Sequence, residues 1–445
     1  MQKYGDAGIP SGWIMEDNIH IYAGGCVDKE RYVESFTELI QELEENRRAL
    51  FECPDEIIIH LFAHFGKEII KDSSLAYIPG LSYLSLWLRK ENLHAIYLAN
   101  FGIKPGIRDS IQVDSRSEMI HVPRGVVCHW IAGNIPLLGF FSLVLATLGK
   151  NASILKIHPS VYKYLNPLLQ KLEEVTIEID RVSYSGKVIT LSVSLVSFPG
   201  KNEIMSRDFS LSADCRVIYG SHEAVQAISC LPHQVHADTI VYGPKYSFAV
   251  FDKEAVESPE FSSMLKGLAQ DIVLYNQAAC SSPHTIFFEK SKMLLHDIAE
   301  QLKSAFQTLP ERMFYPLDEG IAISVINTRA RYLLDSSKDI LLSDDLKWTV
   351  CINDTISLEE PVQGRCVFVK EVSDIDQVLP LVTRKVQTVA LGMVDQVRKE
   401  RYVRELAYRG VDRVMAPGAM HEFTQPWDGM LGAGRMVRWI AVVKK

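Results

Sequence analysis

From Gly125 to Ile157 the chain reads GVVCHWIAGNIPLLGFFSLVLATLGKNASILKI. Its apolar run is about as long as a membrane span, which takes roughly 20 apolar residues. Yet Val126 to Gly149 also holds His129, Gly133, Asn134, Pro136 and Gly139, and such residues are costly in lipid. No stable membrane insertion is expected. A strand, a turn, a helix and a second strand fit better. Val126–Ile131 is a continuous apolar run suited to a strand covered on both faces. Pro136 suits the first turn of a helix and Gly149 its end, and Ala152–Ile157 is the next strand. A strand–helix–strand crossover of this kind builds a parallel sheet.

Working outward, the same alternation continues. A helix at Val161–Glu174, strands at Leu191–Phe198 and Cys215–Tyr219, a helix at Ser221–Leu231 and a strand at Asp238–Tyr242 extend a doubly wound α/β sheet. Thr176–Thr190 interrupts it as an inserted hairpin around Ser185-Gly186. A second α/β run starts at Tyr246, with strands expected at Phe248–Phe251, Ile272–Tyr275, Thr285–Phe288, Trp348–Ile352, Cys366–Val369 and Val386–Leu391. Helices are expected at Ser291–Phe306 and Asp395–Tyr408. Upstream, the first hundred residues read mostly as helices, and Asp109–Val127 reads as a protruding hairpin around Asp114-Ser115-Arg116-Ser117.

At 445 residues the chain holds two or three domains. A net charge of -8 with interspersed signs gives no basic stripe to track a phosphate backbone, so nucleic acid is not an expected partner. The eight cysteines include no C-x-x-C pair, and no basic segment with an apolar core opens the chain, so a reduced, cytoplasmic protein is expected.

Cys280, followed by Ser281-Ser282-Pro283, is the candidate nucleophile. It is read at the end of an apolar strand where a helix or sharp turn begins; a helix amino terminus would favour its thiolate. The competing reading of an isolated cysteine is an inert core residue. The dinucleotide fingerprint G-x-G-x-x-G is missing, and Gly432-Ala433-Gly434 does not supply it. Gly220-Ser221, between a strand and a helix, is the alternative anion site, or an ordinary helix cap. Cys230, His233 and His236 recur at three-residue spacing, but Pro232 intervenes and no fourth ligand matches. No metal is expected, and His236 is left as a polar group near a cofactor.

Asn276-Gln277-Ala278-Ala279-Cys280, with Ala132-Gly133-Asn134-Ile135-Pro136-Leu137, Lys150-Asn151-Ala152-Ser153-Ile154-Leu155-Lys156 and the Trp427-Asp428-Gly429 tail, resembles the LuxC-type long-chain acyl-CoA reductases of bacterial bioluminescence. These are a branch of the aldehyde dehydrogenase superfamily. The resemblance implies Cys280 as nucleophile and Asn134, with the Cys280 backbone N–H, as the oxyanion hole. It implies Lys156 at the adenine-side ribose of a nicotinamide cofactor, Gly220 and Ser221 at its pyrophosphate, Gly243 and Lys245 in place of a Gly-Gly-Lys, and Glu360 at the nicotinamide ribose. It also implies an aldehyde dehydrogenase-like α/β fold. The domains are then a helical lead-in (1–108), an oligomerisation hairpin (109–124), a Rossmann-like cofactor domain (125–245, hairpin insertion about 176–190), a catalytic domain (246–414) and a tail (415–445).

Two departures shape the functional expectation. Acid-forming relatives carry a glutamate just before the glycine pair, whereas Thr239–Lys245 has no carboxylate, which favours acyl transfer and reduction over hydrolysis. Ile157-His158-Pro159-Ser160 after Lys156 hold no acidic residue where NAD-preferring relatives place one, which leaves room for NADPH, with His158 as a phosphate contact and NADH as the alternative. The expected activity is reduction of an acyl-CoA or carrier-bound acyl thioester to the aldehyde by a homo-oligomer. The alternatives are oxidative aldehyde dehydrogenation and cysteine acyl transfer without hydride.

Overall fold

The computed structural model describes residues 19–24, 31–33, 35–106 and 110–444; Cys26 and Asp109 lie outside them. Two compact units result. The first holds the described residues up to Ile78, Leu84–Gly243 and the segment from Gly432; the second holds Pro79–Tyr83 and Pro244–Leu431.

The first unit is built on a seven-stranded sheet in the order Asp238–Tyr242, Cys215–Tyr219, Val126–Trp130, Ala152–Lys156, Val193–Ser197, Ile19–Gly24, Arg31–Val33. The first five strands are parallel. Val126–Trp130 is buried at every position, as a strand covered on both faces must be. The helix Leu138–Leu148 is buried nearly all round and ends at Gly149, whose N–H bonds the Ala146 carbonyl. His129 survives in this apolar core because Ser142 Oγ (2.8 Å) and Ser153 Oγ (3.3 Å) partner its ring; burial drives its pKa down to about 3. Helices occupy much of the first hundred residues, at Phe36–Glu52, Asp55–Lys71 and Lys90–Phe101. The segments Ile19–Gly24 and Arg31–Val33 are instead strands that extend the sheet antiparallel to its neighbours. The inserted hairpin pairs Thr176–Ile179 with Val182–Ser185. It turns at Asp180 and Arg181, both at positive φ, rather than at Ser185-Gly186, because Gly186 opens the next helical turn.

A three-stranded sheet completes this unit. Ser117–Pro123 lies between Ile111–Gln112 and the late strand Val437–Val443, in antiparallel register from Val437↔Pro123 to Val443↔Ser117. The 415–445 tail is therefore not one piece, since its last strand belongs to the first unit.

The second unit carries a seven-stranded sheet in the order Asp339–Leu342, Thr349–Ile352, Cys366–Val372, Pro283–Glu289, Tyr246–Phe251, Val386–Gly392, Arg413–Met415, parallel except for its first pair. Ile272–Tyr275 is not a strand. It ends the helix Phe261–Val273 and enters a tight 3-10 turn, Leu274–Gln277. Among the described residues, no helix is long and apolar enough to cross a membrane.

Candidate active site

In the first unit the chain runs from Val126–Trp130 to Ala152–Lys156 on one side and later returns to Cys215–Tyr219 on the other. Connections leave these central strands in opposite directions, which opens a crevice at their carboxyl ends, the usual ligand position in such sheets. The exposed turn bearing Asn134 follows Val126–Trp130, Gly220-Ser221 follows Cys215–Tyr219, and Lys156 and Gly243 end or follow their strands on the same edge. Lys156 packs its ammonium 4.7 Å over the Phe198 ring, has no carboxylate partner among the described residues, and has its pKa lowered by burial. A half-buried cation of this kind suits a hydroxyl- or phosphate-bearing ligand. His158 caps the helix Pro159–Glu174, with its Nδ1 near Ser160 Oγ (2.8 Å). Ser221 caps His222–Ser229 through its Oγ, which accepts from the Ala224 N–H (3.3 Å). Glu223 in the same turn already takes up part of that positive helix end. These strand ends, the Lys156 ammonium and the capped helix end are the candidate groups for holding a dinucleotide.

His236 does not join this edge. It precedes its strand and pairs with Asp214 (3.0 Å), which also accepts from the Val126 N–H at the opposite, amino end of the sheet. His233 contacts the Leu231 carbonyl, and Cys230 caps a helix end.

In the second unit, Cys280 lies between the 3-10 turn and the strand Pro283–Glu289. It precedes a strand rather than a helix, so no helix dipole favours its thiolate. Tyr275, Asn276 and Gln277 have φ of 54°, 53° and 65°, three successive non-glycine residues in the left-handed region, a strained run. Partners hold it in place. Gln277 bridges from the Pro283 carbonyl (2.8 Å) to the Cys366 N–H (2.9 Å), and Asn276 accepts from the Arg365 guanidinium and donates to the Pro316 carbonyl (3.0 Å). After the cysteine, Ser281 Oγ meets His421 Nδ1 (2.9 Å), while His421 Nε2–H donates to the Asp271 carbonyl (2.7 Å).

The Cys280 sulfur accepts an N–H from Gln387 Nε2 at 2.9 Å, and the same nitrogen donates to Asp428 Oδ1 at 2.5 Å. Ser247 Oγ–H holds the Cys280 carbonyl (2.7 Å) and accepts from the Thr388 N–H (3.1 Å). Burial pushes the Cys280 thiol up to about 12, helped by the Asp428 charge and opposed by Gln387 and Arg413. The expected lowering of this pKa is thus reversed in the free protein. Asp428 belongs to a tight turn in which the Trp427 and Met430 backbones bond each other at 2.9 Å. Asp428 (φ 49°) and Gly429 (φ 72°) form its centre, the pattern of a type I′ turn that an Asp-Gly pair favours. Arg413 stacks 4.2 Å over the Trp427 ring and donates to the Met420 and Glu422 carbonyls; burial lowers its pKa to about 10.

Burial raises the pKa of Asp428, and Lys245, ion-paired with Asp412 nearby, opposes that rise. Glu360 is exposed at a cavity of about 610 Å³ lined also by Arg331, Lys338 and Asn353. Its neighbour Glu359 is the fixed carboxylate, bound by the fully buried Lys370 ammonium at 2.5 Å. Gln387, Asp428, Arg413 and Glu359 escape a reading of the sequence. Only Trp427-Asp428-Gly429 carries a local signal, its left-handed turn chemistry.

The two sheets define the class: this is the α/β fold of the aldehyde dehydrogenases. The chain is similar to aldehyde dehydrogenase 21 of Physcomitrella patens (TM-score 0.69, 12% identity, 91% of this chain and 89% of that one). It is also similar to a benzaldehyde dehydrogenase of Corynebacterium glutamicum (TM-score 0.66, 14% identity, 97% and 94%). Within that class the acyl-CoA reductase (LuxC) family model matches residues 67–439, and the chain belongs to this family. Similar relatives are the long-chain acyl-protein thioester reductases of Aliivibrio fischeri (28% identical over 306 residues, 68% of this chain and 60% of the relative) and Photorhabdus laumondii subsp. laumondii (28% over 330 residues, 72% and 64%). The chain therefore spans less than two thirds of those relatives' lengths.

Proposed function

We propose that this chain reduces a long-chain acyl thioester, carried by a protein or by coenzyme A, to the aldehyde, with NADPH as reductant and the acyl group held on Cys280. The observation that carries the reading is the Cys280 sulfur, presented just after a strained turn and 2.9 Å from an amide donor. The relatives' name, long-chain acyl-protein thioester reductase, favours a protein-bound donor over coenzyme A.

In this reading the Cys280 sulfur adds to the thioester carbonyl, and the Asn134 amide and the Cys280 N–H receive the developing oxyanion. Collapse breaks the bond to the donor sulfur, which leaves with the proton that Cys280 gave up. Lys156, His158, Gly220, Ser221 and Gly243 hold the dinucleotide, and Glu360 its nicotinamide side. Lys245 serves the carboxylates beside Cys280 instead. A bound reduced nicotinamide supplies the hydride that takes the acyl-enzyme to the aldehyde. Thr239–Tyr242, just before Gly243, holds no carboxylate, and Asp428 is engaged by Gln387, which supports reduction over hydrolysis. The Ser117–Pro123 sheet is the surface we assign to self-association.

The test is intact mass after incubation with tetradecanoyl-CoA, followed by NADPH and product analysis. One acyl adduct on Cys280, discharged as tetradecanal, is expected, with none in Cys280→Ala. An adduct that persists in Cys280→Ala, or discharge as free acid, overturns the reading. Transfer without NADPH oxidation supports the acyltransferase alternative.

A further inference from the structure

We infer that Gln387 is a catalytic donor to the Cys280 sulfur and that Asp428 is the positioning residue that makes it so. The inference rests on the reading of Cys280 as nucleophile. Gln387 is completely buried and Asp428 is 8% exposed, so neither is held in place by solvent. A carboxamide can present oxygen or nitrogen to a neighbour, and the two faces have opposite effects on a thiolate. Asp428, as a carboxylate, can only accept. It therefore draws the Gln387 NH2 toward itself at 2.5 Å, and the second hydrogen of that NH2 reaches the sulfur at 2.9 Å. The Gln387 oxygen is left to the Thr388 hydroxyl (3.4 Å). With the amide reversed, an oxygen would face the sulfur and repel its anion.

Asp428 has a cost as well as a use, because its negative charge lies near the thiol it serves. Lys245 and Arg413 offset that charge, and Lys245 is fixed by Asp412. The type I′ turn at Asp428-Gly429 sets the carboxylate against Gln387 rather than against the sulfur. The design thus separates two effects of one residue. Its charge disfavours the thiolate, while its grip on Gln387 favours it.

These effects can be measured apart. Iodoacetamide alkylates thiolates, so the rate of carbamidomethylation of the Cys280 peptide, read by mass spectrometry at pH 7, 8 and 9, reports the Cys280 thiolate. The exposed Cys230 serves as internal control. Gln387→Met keeps the side chain's length and apolar packing, and Gln387→Ala provides a second variant; melting curves check that each folds. Loss of one hydrogen bond to a charged sulfur should slow Cys280 alkylation about tenfold at each pH and leave Cys230 unchanged. Asp428→Asn in the Gln387→Met background removes only the opposing charge and should speed alkylation several-fold. In the unaltered background the same substitution also frees the amide, so the gain should vanish or reverse.

An unchanged Cys280 rate in both Gln387 variants overturns the role of Gln387. The same fold-change for Asp428→Asn in both backgrounds overturns the coupling and leaves Asp428 as a charge alone. Alkylation needs neither thioester nor nucleotide. A protein that alkylates as described but never accepts an acyl group would therefore refute the proposed function and leave standing only the control of the Cys280 thiolate by Gln387 and Asp428, without its catalytic use.

Discussion

Glu359 and Glu360 are adjacent residues of one type, and their surroundings give them different work. The Lys370 ammonium is fully buried and is neutralised by Glu359 Oε1 (2.5 Å), with Thr355 O (2.8 Å) and Ser357 Oγ (2.9 Å) completing its shell. A buried ammonium stripped of its carboxylate is costly. Glu359→Ala should therefore lower unfolding stability by about 2 kcal/mol, whereas Glu360→Ala should cost less than about 0.5 kcal/mol, measured by urea denaturation. Equal effects would remove the distinction. Nothing in the string Glu-Glu-Pro separates the two, because Lys370 reaches Glu359 from the interior of the strand Cys366–Val372. The same limit hid Gln387, which lies 107 residues from Cys280, and Asp428, which lies 41 residues beyond Gln387. Cys280, Asn134 and Lys156 stand out as candidates because each belongs to a run of several residues with a recognisable order, and Gly220-Ser221 because it joins a strand to a helix.

At the scale of the element, the stretch before Cys280 shows why a short apolar run misleads. Ile272-Val273-Leu274-Tyr275 reads as a strand in isolation. The positions behind it, Phe261, Leu265, Leu268, Ala269 and Ile272, fall three and four apart and are all buried. That spacing is a helix face. The helix stops in three left-handed residues, and the side chains of Asn276 and Gln277 hold them there. Asn276→Ala should lose the bonds to Arg365 and Pro316 and also strain the backbone, since alanine disfavours positive φ. Asn276→Gly loses the same bonds without the strain. Guanidinium denaturation should find the alanine variant less stable than the glycine variant by about 1 kcal/mol; the reverse order would mean that the left-handed turn is not kept. Gly80 limits the same turn from outside, for a Cβ there would stand 2.2 Å from the Tyr275 hydroxyl oxygen.

At the scale of the whole molecule, each unit keeps histidine neutral inside it. Burial lowers the pKa of His129 to about 3 and those of His284 and His421 to about 4. An unfolded chain binds these protons at about pH 6.5, so their contribution to stability is full above that value and is lost as pH falls toward 4. His421 alone should account for up to about 3 kcal/mol of that loss. Denaturation midpoints measured at pH 7.5, 5.5 and 4.5 should fall steadily, and His421→Gln should be less stable at pH 7.5 yet show a flatter decline. An unaltered slope in that variant would remove His421 from the account. The alternation of strands and helices made the parallel sheets legible, because strands buried on both faces carry long apolar runs. The antiparallel edges were less so, since Ile19–Gly24 and Arg31–Val33 are short and join the sheet only through Val193–Ser197.

The strand Val437–Val443 has a consequence for biosynthesis. Its partner Ser117–Pro123 leaves the ribosome more than three hundred residues earlier, and all of Pro244–Leu431, the bulk of the second unit, is made in between. Until the last strand arrives, one side of Ser117–Pro123 presents unpaired backbone groups, the kind of edge on which growing chains stick to one another. Synthesis halted just before Val437 therefore yields a product whose second unit is whole but whose first unit carries an open edge, a natural substrate for chaperones and for quality-control proteolysis.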